Sequence, residues 1–115
     1  MAQHTFVVFT NAVEGREDEF NDWYDHRHLP DVLAVEGFVA AQRFRLSETE
    51  PTQEFPHRYL ALYEVESEDL EKVRQALSEA GETGVMMISE ALDRPNAMAR
   101  YFTPITDRVT ADTFD

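Results

Sequence analysis

The chain has 115 residues, 43% of them hydrophobic, no cysteine, and a formal net charge of −13 from 23 acidic and 10 basic side chains. One small domain with a core fits that length, and eight Phe, four Tyr and one Trp are too many for a disordered chain. The acidic field disfavours nucleic acid and anionic membrane surfaces as partners, and the lack of cysteine excludes disulfides, thiolate metal sites and a thiol nucleophile.

His4–Asn11 is rich in β-branched and aromatic residues and reads as a first strand, apolar on both faces. Val13-Glu-Gly15 is a turn, and Arg16-Glu-Asp-Glu19 opens a helix with three carboxylates at its positive end. That helix is expected to run to about His28, with Pro30 starting a second short turn over Asp31–Val35. Phe38–Leu46 alternates and reads as a second strand, with Phe38 and Phe44 on one face and Val39, Ala41, Arg43 and Arg45 on the other. Residues 47–56 hold two prolines and form a loop, and His57–Glu66 is a third strand. Ser67 is the expected N-cap of a second helix, with Leu70, Val73, Leu77 and Ala80 as its buried stripe and Gly81 as its stop. Val85–Leu92 reads as a third, shorter helix, Ala97–Ile105 as a fourth strand, and residues 106–115 as polar chain.

The order β-α-β-β-α-(α)-β predicts an α+β fold: a ferredoxin-like βαββαβ plait with a four-stranded antiparallel sheet and helices on one face. The domain is expected over residues 1–106, with 107–115 as a C-terminal tail. The other sheet face needs a cover, and a second copy supplies one by two-fold symmetry, so a homodimer through sheet faces is expected. Val7, Phe9, Val39, Ala41, Leu60 and Leu62 are the candidates for that contact.

The richest stretch is Phe20-Asn-Asp-Trp-Tyr-Asp-His-Arg-His-Leu-Pro-Asp31. Phe20, Tyr24 and His28 are spaced i, i+4, i+8, which sets a group that titrates near neutrality at the end of an aromatic helix stripe. Together with Gly37-Phe38 and Ala41-Gln-Arg-Phe44, this string resembles the EthD-like branch of the dimeric α+β barrel superfamily. By that resemblance the family's helix histidine corresponds to His28 and its aromatic pair to Trp23 and Tyr24. His26 and the Met86-Met87 segment depart from the pattern. The superfamily hosts cofactor-free monooxygenases, cyclases, isomerases, dehydratases and haem-degrading enzymes. The resemblance therefore implies a cofactor-independent enzyme that moves a proton on an aromatic or polyketide-like carbonyl compound.

In that reading His28 is the general base, Tyr24 steadies the oxyanion, and Asp31 orients the imidazole. Trp23, Phe6 and Phe44 line the pocket, and Tyr59, Tyr63 and Tyr101 offer further substrate contacts. The structural rival has His28 donating to a backbone carbonyl at the helix end. A non-catalytic binding module for a hydrophobic molecule, or a haem protein with His28 as axial ligand, are the alternatives in function. His26 pairs with Asp22 on the helix surface, and two histidines at i, i+2 diverge too far to share a metal. Arg43 and Arg45 are expected to pair with Glu64 or Glu66 on the next strand. The sequence holds no phosphate-cradling glycine loop, serine elbow or dinucleotide fingerprint. No apolar run is long enough to span a bilayer and the N-terminus lacks a signal pattern, so a cytoplasmic location is expected.

Overall fold

A computed structural model describes residues 2–47 and 55–114. Four strands, β1 (Gln3–Thr10), β2 (Phe38–Arg45), β3 (Tyr59–Glu66) and β4 (Met98–Phe102), form one antiparallel sheet in the order β2-β3-β1-β4. Between β1 and β2 lie α1 (Glu17–Trp23), a π-helical turn (Tyr24–His28) and α2 (Leu29–Leu33), and α3 (Leu70–Glu82) follows β3. This is the expected ferredoxin-like plait. Most of the 47–56 loop lies outside the described residues.

The core lies between helices and sheet. Phe6 and Thr10 of β1 face the helices beside Tyr59, Ala61, Tyr63 and Val65 of β3, and all six are buried. Phe20, Tyr24, Val32 and Val73 close over them from the helices. The opposite sheet face carries Val7, Phe9, Leu60 and Leu62, with exposed Phe44, Met98 and Phe102 around them. The molecule is only 22 Å thick along its short axis, consistent with helices on a single side of the sheet.

A β-bulge between Phe38 and Ala40 changes the reading of β2. Phe38 pairs with Val65 and is buried, whereas Ala41 and Arg43 pair with Tyr63 and Ala61, so these three share the helix side. Phe44 pairs with Leu60 and lies on the open face. The extra residue of a bulge shifts the alternation by one, and Ala41 therefore leaves the group expected at the open face. The preceding Gly37 has φ +105°, and a Cβ there would lie 2.8 Å from Val73 Cγ2. Glycine at this position lets α3 sit down on the start of β2.

Three further boundaries differ from expectation. Asp69, not Ser67, caps α3 by accepting from the Lys72 amide at 3.1 Å, while Ser67 Oγ accepts from the Asp69 amide at 2.9 Å. Gly81 stays inside α3, and the chain turns at Gly84, where φ is +79°. Residues 85–92 are not helical. Their backbone is held laterally instead, by the Val13 amide to the Ala91 carbonyl at 2.7 Å and by a bridge between Ala12 and Leu92. Local helix propensity yields to these tertiary bonds.

Candidate functional site

The helical segment after Trp23 widens for one turn. The Leu29 amide donates to the Tyr24 carbonyl five residues back, just before Pro30, whose ring crowds the carbonyl four residues behind it. In a π-turn, residues i and i+5 come nearly into line. His28 accordingly stacks on Trp23, with ring centroids 4.6 Å apart and planes 25° apart, and meets Tyr24 edge-on at 4.8 Å. The Trp23 indole N–H donates to the Met87 carbonyl at 2.9 Å, which fixes the stacking partner against the 85–92 segment.

The imidazole Nδ1 of His28 is buried and has no hydrogen-bond partner. The rival expectation, a hydrogen bond to a helix-end carbonyl, is absent among the described residues. Burial lowers the His28 pKa from 6.5 to about 4, with Asp31 opposing the change and Arg43 adding to it. The ring is therefore neutral at pH 7.

Asp31 does not hold His28. Its carboxylate accepts from Arg27 Nε at 2.9 Å, one helical turn back, so it acts on the imidazole only through its charge. Tyr24 is buried, and its hydroxyl accepts from the Tyr63 hydroxyl at 3.1 Å. Burial raises the pKa of both phenols, so both remain protonated. Tyr63 touches Phe6, and Phe6 stacks on Tyr101 at 4.3 Å. The hydroxyl of Tyr101 is the second buried polar atom without a partner, and burial pushes its pKa up to about 12. Trp23, Tyr24, His28, Tyr63, Phe6 and Tyr101 thus form one continuous layer between helices and sheet.

Two expected site residues lie elsewhere. Phe44 is on the open sheet face because of the bulge. Tyr59 belongs to a polar cleft of about 350 Å³ lined by Asn21, Asp25, Arg43, Phe44, Arg45 and itself. There its hydroxyl donates to Glu17 and accepts from Asn21 Nδ2 at 3.3 Å.

Arg43 is a further residue whose setting the sequence misjudged. It pairs with Asp25 at 2.7 Å and donates to Asn21 at 2.9 Å, rather than reaching Glu64 or Glu66. Its guanidinium lies 4.3 Å from the Tyr24 ring centroid, a cation–π contact beneath the candidate site. Only the bulge turns Arg43 to this side, and the bulge has no mark in the composition. His26, by contrast, lies where the sequence put it, exposed and bonded to Asp22. Four cavities lined by described residues, the polar cleft among them, leave the His28 imidazole outside their walls. Among the described residues no cluster could hold a metal ion, and no helix is long and apolar enough to cross a membrane.

The sequence matches the family described as Domain of unknown function (DUF4286) over residues 3–103. No curated protein sequence matches it. Among solved structures, the fold is similar to the haem-degrader MhuD from Mycobacterium tuberculosis, solved with two haems in its active site (18% identity, TM-score 0.62, covering 92% of this chain and 99% of that one). It is also similar to SnoaB, a cofactor-independent oxygenase from Streptomyces nogalater (20% identity, TM-score 0.57, 96% and 98% covered). An EthD family protein from Bacillus halodurans C-125 shares the fold at 14% identity (TM-score 0.57, 91% and 100% covered). The chain belongs to the DUF4286 family, and its plait is the fold of the EthD and oxygenase structures.

Proposed function

We propose that this protein is a small, cofactor-independent enzyme that moves a proton on an aromatic or polyketide-like carbonyl compound. The observation that carries the reading is the buried, unpartnered Nδ1 of a neutral imidazole, set against an aromatic wall. A neutral imidazole can take a proton from the carbon beside a carbonyl, becoming imidazolium and leaving an enolate. The charge of Asp31 eases the imidazolium, and Arg43 under the Tyr24 ring favours negative charge at the phenol end. Tyr24 accepts from Tyr63, so its own proton is free to meet the enolate oxygen. Trp23, Phe6, Tyr63 and Tyr101 give the apolar lining, with the Tyr101 hydroxyl as a further polar contact. The fold shared with SnoaB is compatible with such chemistry.

His28 is half-buried and borders none of the four cavities lined by described residues. The test is exchange of the acidic carbon-bound proton of an aromatic β-diketone in deuterated buffer, followed by NMR. The protein should accelerate exchange well above buffer and above an equal concentration of imidazole. Exchange at the free-imidazole rate would contradict the reading.

A second reading rests on the same aromatic layer: a non-catalytic module that binds a hydrophobic small molecule. Haem, which the MhuD structure holds, is the version with His28 as axial ligand. A Soret shift on haem titration that His28→Ala abolishes would favour it over a general base.

The apolar face with Val7, Phe9, Leu60 and Leu62 supports a homodimer formed sheet to sheet. Phe102, Ile105, Val109 and Phe114 also stand exposed beside or beyond β4, with Ile105 97% exposed. Exposed apolar surface of this extent is typical of an interface. Sedimentation equilibrium should give twice the chain mass, and a monomer at micromolar concentration would contradict the pairing.

A further inference from the structure

Where β2 ends and β3 begins, an apolar cavity of about 250 Å³ lies away from His28. Its walls include Phe9, Phe44, Leu46, Phe55, His57 and Leu60. The ring centroids of Phe9 and Phe55 are 5.9 Å apart, and those of Phe9 and His57 are 5.5 Å apart. His57 is buried and donates from Nε2 to the Asn96 carbonyl at 2.6 Å, which anchors its ring as a fixed wall. Arg45 and Arg58 also line this cavity. In a chain with 23 carboxylates to 10 cations, neither guanidinium has an ion-pair partner among the described residues. The carboxylates nearby do not claim them. Asp25, in the cleft that shares Arg45, is bound to Arg43. Glu14, Glu17 and Asp93 share a cleft with Arg58 but are not ion-paired to it.

We propose that this cavity binds a small amphipathic carboxylate. Its aryl or short alkyl body lies among Phe9, Phe44, Phe55 and Leu60, and its carboxylate is held by Arg45 and Arg58. A fork of N–H donors suits a carboxylate in particular. The volume lies just below the usual range for drug-sized ligands, about 300–1,000 Å³, which limits the body to about one ring. The site shares no residue with the His28 layer and is independent of the proton-transfer reading, but Phe9 and Leu60 also belong to the sheet face proposed for the homodimer, so ligand and partner copy compete for those side chains.

The experiment is calorimetric titration of the full chain with 3-phenylpropanoate and with its neutral analogue 3-phenylpropan-1-ol. The carboxylate should bind saturably and the alcohol at least tenfold more weakly. The Arg45→Gln/Arg58→Gln variant, shown folded by circular dichroism, should lose at least tenfold in carboxylate affinity, and His28→Ala should lose none. Equal affinity for acid and alcohol, no saturable binding, or full affinity in the double variant would each overturn the proposal. The comparison of the two ligands needs only the unaltered protein, so it stands even if the variant misfolds.

Discussion

His28→Ala is expected to lower β-diketone exchange by about 10²- to 10⁴-fold, the range a positioned general base supplies. Trp23 and Tyr24 pack around the ring and fix where its lone pair is presented, while burial keeps it unprotonated. The rate should therefore follow the neutral form, staying level from pH 8 down to about pH 5 and falling through about pH 4. An unperturbed histidine would fall near 6.5 instead. A free imidazole added to the variant should restore part of the rate. Unchanged exchange in the variant would remove His28 as the base and leave the binding-module reading in its place.

The same displacement of the pKa has a stability consequence of definite sign. The unfolded imidazole takes up its proton near pH 6.5 and the folded one near pH 4. Between these values the unfolded state binds more protons, so stability rises with pH. The contribution is complete above about pH 6.5 and lost as the pH falls through about 4. At about 1.4 kcal/mol per pH unit it amounts to at most about 3–4 kcal/mol.

Phe20→Ala is expected to cost about 3–5 kcal/mol, a large share of the roughly 5–15 kcal/mol typical of a domain. Phe20 is 0% exposed and touches the rings of Trp23, Tyr24 and Tyr59 at centroid distances of 6.2, 5.7 and 5.2 Å. The Arg43 guanidinium lies 5.5 Å from its centroid. Truncation leaves a cavity beneath both the Trp23–His28 stack and the Arg43 cluster, so neither neighbour can collapse into it without breaking its own contacts. Urea unfolding would show this as a lowered midpoint with little change in slope. A loss below about 1 kcal/mol would mean that the aromatic layer repacks and does not hold the histidine in place.

The plait was legible because its strands carry β-branched and aromatic residues and its helices begin with acidic turns. The details that define the candidate site were less so. Val39-Ala40-Ala41 is apolar throughout, so the bulge that sends Phe44 outward and Arg43 inward leaves the alternation ambiguous. The i, i+4 spacing correctly joined Tyr24 to His28. The π-turn added Trp23 at i+5, a partner that ordinary helical spacing places well round the cylinder. Val85–Leu92 has the composition of a short helix, yet its backbone bonds run sideways to residues 12–13. Asp31 had an acceptor's chemistry at a plausible distance, but Arg27 at i−4 was the nearer claimant.

One titration bears on all of this. In a ¹⁵N-labelled sample, the ring nitrogens of residue 28 should report a neutral imidazole with an unprotonated Nδ1 down to about pH 4. A midpoint near 6.5, or a proton resident on Nδ1 at neutral pH, would contradict it.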